Sequence, residues 1–325
     1  MKRFIFFFIV FLIGYFLIFF NHTLLAQPYP NRPIQVIITH EAGSIADINA
    51  RALFKELEKT VGVKIIPINK PGASATFGLD VVARSKKDGY TLAYTGSAGL
   101  VYAPIINPQV PYDPYKDLEP LGSHTMVPFG IAVNANSPWK TFKELIDYAG
   151  KNPESLRITT FGIGSAPHFI VEIIQSITGA KFTHIPLKGG EYVITALLGG
   201  HIEMVCDMVN KFTPHVEAGK IRVLLVTHKI DYLPNVPTLI ELGYKYDLPL
   251  PPLWFAMYGP SGLPDDVKKI LIPSIEKAVK NPDLKSNMEK IGFTVYYKSP
   301  EEFRKIVLEE YNTALAIAKK IGLKK

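Results

Sequence analysis

Cysteine is almost absent from this chain. Cys206 is the only one in 325 residues, so no intrachain disulfide can form and packing alone must hold the fold. Met204 and Val205 beside it mark a buried strand rather than an activated thiol. Catalytic signatures are missing as well. Neither Gly96-Ser97-Ala98-Gly99 nor Gly164-Ser165-Ala166 fits the G-x-S-x-G turn that exposes a serine nucleophile. No G-x-x-x-x-G-K-[ST] run occurs, and no dinucleotide fingerprint opens the first strand–helix unit, so nucleotide chemistry has no support. His201, Glu203, Cys206 and Asp207 lie close together, but Glu203 and Cys206 would face opposite sides of a strand, and the eight histidines never take ligand spacing. No metal or cofactor is therefore expected. Basic residues are scattered without arginine–aromatic interleaving, which argues against a nucleic-acid groove.

One long apolar run is present. Lys2 and Arg3 precede Phe4 to Phe20, and Leu24-Leu25-Ala26 offers a cleavage site before Gln27. Residues 1–26 thus read as a signal peptide, or as an N-terminal anchor if left uncleaved, since the run nears the length of a membrane span. Either outcome exports the body, which has no second such run. Without Lys2 and Arg3 it holds 34 basic and 29 acidic residues, a mild positive balance.

Two junctions dominate what remains. Val36 to Asp47 and Arg157 to His168 each run from an apolar strand through a loop of glycine and hydroxyl residues into a helix-periodic segment. Such loops aim backbone N–H groups and a helix N-terminus at one point, which favours an anion. Around them, strands alternate with amphipathic helices, the pattern of an α/β fold with mainly parallel strands. The periodicity predicts strands at Ile34–Thr39, Val63–Ile68, Thr91–Tyr94, Val127–Val133, Arg157–Phe161, Phe182–Ile185, Glu203–Asp207 and Arg222–Thr227. It predicts helices at Asp47–Thr60, Pro167–Thr178, Glu191–Leu198, Pro264–Ala278 and Pro300–Lys319, and another opened by Thr141-Phe142-Lys143-Glu144. Two proline-rich passages, Pro104–Pro120 and Pro234–Pro252, suggest that the chain leaves one lobe, builds a second and returns. The expected division is 27–126 with 251–325 as the first lobe and 127–250 as the second.

Several candidates have two readings. Asp47 is an N-cap-like acceptor or a ligand-facing acid, and His168 contacts a ligand or caps its own loop. Asp207 either ties down the following loop or receives a donor from a ligand.

Short tags in consistent order then carry a family resemblance: Ala42-Gly43-Ser44-Ile45-Ala46-Asp47, Asn69-Lys70-Pro71-Gly72-Ala73, Asp88-Gly89-Tyr90-Thr91-Leu92, Pro111-Tyr112-Asp113-Pro114, Ile185-Pro186-Leu187-Lys188-Gly189, Leu198-Gly199-Gly200, Pro214-His215-Val216-Glu217-Ala218-Gly219-Lys220 and Val236-Pro237-Thr238. In these the chain resembles the extracytoplasmic solute receptors of tripartite tricarboxylate transporters, including the Bordetella uptake type. The resemblance implies a two-lobed periplasmic binding protein, type II-like, that closes as a Venus flytrap on a small carboxylate and delivers it to a membrane permease. It implies a ligand site and no catalytic residues. Its candidate contacts are Gly43, Ser44, Ile45, Ala46 and Asp47 from the first loop, and Gly162, Gly164, Ser165, Ala166 and His168 from the second. Thr95, Ser97, Lys188 and Asp207 join them. A monomer is expected; a receptor for a membrane sensor and an enzyme on the same scaffold are the alternatives. Ile45, Ile163 and Pro167 leave these loops drier and poorer in donors than the family pattern, which suits a monocarboxylate or aromatic carboxylate, with Phe161 or Trp254 as a wall.

Overall fold

The computed structural model describes residues 28–187, 191–245 and 250–323. The leader expected at 1–26, and Lys188, lie outside the described residues. The first sheet is built from β1 (Ile34–Ile38), β2 (Ile65–Asn69), β3 (Thr91–Gly96), β4 (Leu118–Val127), β10 (Leu253–Pro260) and β11 (Thr294–Val295), in the order β11-β4-β10-β3-β1-β2. The second contains β5 (Phe129–Asn134), β6 (Arg157–Thr160), β7 (Thr183–Pro186), β8 (Met204–Met208) and β9 (Ile221–Val226), in the order β7-β6-β8-β5-β9.

Both sheets are mixed, which corrects the mainly parallel expectation. β1 pairs with β2 and β3 in parallel, but β10, returning from the second unit, runs antiparallel to both β3 and β4. Likewise β5 is antiparallel to β8 and β9, whereas β6 is parallel to β7 and β8. A second correction concerns Val127–Val133, which is not one strand. Pro128 has no N–H for a ladder, and at that residue the chain passes from β4 in one sheet to β5 in the other.

Helices cover the sheets. They are α1 (Ile45–Val61), α2 (Thr76–Ala83), α3 (Ala103–Ile106), α4 (Phe142–Lys151), α5 (Ala166–Thr178), α6 (Glu191–Leu198), α7 (Val209–Glu217), α8 (Asp265–Val279), α9 (Pro282–Lys290) and α10 (Pro300–Lys320). Local chemistry sets several ends. The Ser299 hydroxyl and the Glu302 carboxylate cap each other's backbone at the start of α10, with Pro300 in its first turn. Gly62 ends α1 in the left-handed conformation at φ 77°. The first proline-rich passage opens with the short helix α3, because Pro104 sits in its first turn, where its missing N–H costs nothing. A π-helical turn, Ala98–Tyr102, joins β3 to α3.

One buried core runs through the first unit and into the second, and a smaller cluster including Val205, Phe212 and Val226 fills the second sheet's other face. No helix among the described residues is long and apolar enough to cross a membrane.

Candidate functional site

The twin loops prove to be electrostatically opposite. In the first, Ser44 is the N-cap of α1 and its hydroxyl accepts from the Asp47 amide at 3.3 Å. The Asp47 carboxylate turns back to take the Gly43 amide at 2.9 Å, and it is also bonded by Arg51 and Asn69, each at 2.9 Å. Burial opposes its ionisation, but these donors and the Arg51 charge outweigh it and hold its pKa below the ordinary aspartate value. The first loop therefore carries its own anion.

The second loop carries none. Ser165 is the N-cap of α5, yet its side chain caps no helix amide; its hydroxyl donates instead to the Gly162 carbonyl at 2.6 Å. The first turn of α5 has no acidic residue. Its leading amides have no intrahelical acceptor, and the positive end of the helix dipole is left without a protein counter-charge. Pro167 removes one amide from the set but fits the first turn.

This uncapped end opens on a cavity of about 290 Å³ between the two units. From the second it is lined by Phe129, Phe161, Ile163, Gly164, Ser165 and Ala166. The first contributes Ser74, Ser97, Ala98, Tyr102, Ala103 and Ile106, with Leu253 at the start of β10. Among the described residues, no lysine, arginine, aspartate or glutamate lines it. The polar side chains in its lining are Ser74, Ser97, Ser165 and Tyr102, and the remaining wall is mostly apolar.

Of the residues expected from the sequence, Ser97, Gly164, Ser165 and Ala166 line this cavity. Gly43, Ser44, Ile45, Ala46, Asp47, Thr95, Gly162, His168 and Asp207 do not. Thr95 is fully buried in β3, where its hydroxyl receives that of Thr39 at 3.0 Å. His168 braces the second loop: its Nδ1 accepts the Gly164 amide at 3.1 Å, which fixes the ring proton on Nε2. The ring stacks on His184 with centroids 4.4 Å apart. Burial, reinforced by His184, lowers the His168 pKa to about 4, so the bracing acceptor is neutral at neutral pH. Asp207 is fully buried at the end of β8 and is paired with Lys211 at 3.2 Å. The Lys211 ammonium in turn lies 5.8 Å from the centroid of the Phe161 ring.

Phe161 is a wall of the cavity, but Trp254 is not. Trp254 has no exposed surface, and its indole N–H donates to Glu310 at 2.6 Å beneath the sheet. Sequence reasoning missed Tyr102 and Ile106, which stand in or beside the proline-rich passage. Tyr102 also donates to Glu310, at 2.7 Å, and stacks on Phe169 of α5 at 5.2 Å, linking the two units beside the cavity. Ser74, the tip of the turn after β2, was also missed.

A curated relative from Cupriavidus necator, the UPF0065 protein in the gbd 5' region, is 33% identical over 302 residues, spanning 92% of this chain and 90% of its own. The solved periplasmic binding protein BugD is 30% identical with a TM-score of 0.72, covering 91% of this chain and 100% of its own. The R. palustris protein Rpa4515, solved with adipate, is 25% identical with a TM-score of 0.74, covering 90% of this chain and 98% of its own. The model of the tripartite tricarboxylate transporter family receptor matches residues 49–323, and the chain belongs to that family.

Proposed function

We propose that this protein is an extracytoplasmic receptor that captures a small carboxylate between lobes 27–126 with 251–325 and 127–250, and hands it to a tripartite tricarboxylate-type permease. It acts as a monomer, and no bond is made or broken. The observation that carries this reading is the uncapped N-terminus of α5 opening on an apolar cavity. The carboxylate lies against the first-turn amides of α5, and the rest of the ligand lies against Phe129, Phe161, Ile106 and Leu253. A second carboxylate against that wall would lose its water with no cation among the described lining residues, so a monocarboxylate with an aliphatic or aromatic tail fits best. Closure of the lobes around it converts ligand contacts into a shape that the permease distinguishes. Lys211 beside Phe161, together with the adipate held by the R. palustris relative, favours a second reading in which a distal carboxylate reaches the Lys211 ammonium.

A thermal-shift panel of hexanoate, benzoate, phenylacetate, adipate and citrate tests this. A ligand at a hundred times its Kd adds about 2.7 kcal/mol, enough to raise the midpoint by roughly 5 °C. Hexanoate or an aromatic acid should give such a shift and be recovered unchanged by mass spectrometry. A response to citrate alone contradicts the ligand class, and consumption of the acid contradicts the receptor role.

A further inference from the structure

The turn after β2 holds an improbable backbone. Gly72 has φ 123°, and the next three residues, none of them glycine, also have positive φ: Ala73 at 48°, Ser74 at 56° and Ala75 at 73°. L-residues visit this left-handed region singly and at a cost, because Cβ crowds the following carbonyl. Three in succession persist only where the surroundings over-determine them. Here they do. Ala75 is buried under Gly99, where a Cβ would come within 3.3 Å of the Ala75 carbonyl carbon and 2.6 Å of Leu79 Cδ1. The Thr76 hydroxyl closes the turn by donating to the Ala73 carbonyl at 2.8 Å.

At the tip of this braced turn, Ser74 lines the cavity between the lobes. Among the described residues its hydroxyl makes no hydrogen bond. Glycine would take the same backbone without strain. Serine differs from it by a hydroxymethyl group, and Ser74 lines the same cavity as Gly164, Ser165 and Ala166 at the uncapped end of α5.

We infer that Ser74 is a ligand-contacting, specificity-determining residue whose hydroxyl donates from the first lobe to the carboxylate seated on α5 of the second. The inference rests on the carboxylate reading above. It supplies the first-lobe donor that the Gly43–Asp47 loop, occupied by its own carboxylate, does not. Because donor and seat belong to different lobes, the bond forms only as the lobes approach, which couples recognition to closure.

Calorimetric titration of wild type, Ser74→Ala and Ser74→Gly with hexanoate, benzoate and adipate tests this. For whichever acids bind the wild type, both variants should bind about tenfold more weakly, the loss of one hydrogen bond to a charged carboxylate. Without ligand, Ser74→Ala should melt with the wild type, while Ser74→Gly should melt a few degrees higher as the strain is relieved. Wild-type affinity in Ser74→Ala overturns the inference and leaves the carboxylate reading intact. Failure of the wild type to bind any acid of the panel overturns the carboxylate reading, and this inference falls with it.

Discussion

Gly164→Ala is expected to weaken binding of the carboxylate by about tenfold or more and to lower the melting point of the unliganded protein. Two separate causes act. Gly164 has φ 75°, where an alanine costs about 1–2 kcal/mol, and that part appears as lost stability. A Cβ built there would lie 2.9 Å from Ile106 Cδ1 and 3.2 Å from its Cγ2. Ile106 belongs to the other side of the cavity, so the new methyl props the two walls apart where they must approach. Overpacking of this kind costs about 1–3 kcal/mol, which corresponds to roughly tenfold or more in Kd. The double variant with Ile106→Ala separates the causes. Ile106→Ala alone should cost some affinity, since Ile106 is itself a wall, but in that background Gly164→Ala should weaken binding little further while still lowering the melting point, because the contact is gone and the strained φ remains. Calorimetric Kd values and melting points of the three variants check this.

Raising the pH from 5 to 8 should destabilise the wild type relative to Glu310→Gln by about 3 kcal/mol. Glu310 is buried on α10 between the Tyr102 hydroxyl and the Trp254 indole. Burial raises its pKa from 4.5 to about 7, although both hydrogen bonds oppose the shift. A carboxyl whose folded pKa exceeds its unfolded value binds more protons when folded. Its contribution is complete below pH 4.5, declines through the interval and levels off above about pH 7. At 1.36 kcal/mol for each pKa unit, the interval gives the stated magnitude. Asp47, with its pKa lowered below the ordinary aspartate value, is ionised throughout this interval in both proteins, so the difference between them isolates Glu310. Denaturant titrations of both proteins at pH 5 and pH 8 measure it. Equal pH dependence would mean that Glu310 titrates normally. Because Tyr102 both donates to Glu310 and stacks on Phe169 of α5, this acid also fixes one of the contacts between the lobes.

Much of this molecule can be read along the chain because its signals are local. Thr141 and Ser299 mark helix starts through side chains that bond within three residues, and both helices begin there, whereas α1 starts from Ser44 and not from the Asp47 expected to cap it. The uncapped loop at Gly162–Ala166 is also local, and it lines the cavity. Other features depend on partners that sequence spacing does not reveal. Asp47 ceases to be open to a ligand because β2 brings Asn69 against it from 22 positions away. Trp254 looks like a cavity wall by type, but Glu310 draws its indole N–H under the sheet. The left-handed turn is announced by no glycine at Ala73, Ser74 or Ala75, since the packing of Gly99 and Leu79 imposes it. Pro128 splits one apolar run between two sheets, an outcome that periodicity alone cannot express.

The central claim is that the ligand's carboxylate sits on the N-terminus of α5 and not on the first loop. Backbone amide NMR of the labelled protein, titrated with the acid giving the largest thermal shift, tests it directly. A hydrogen bond to a carboxylate moves an amide proton downfield. The Ala166 resonance should move in this way as the acid is added, while Gly43, already bonded to Asp47, should stay where it is. A downfield shift at Gly43 with Ala166 unmoved would contradict the account.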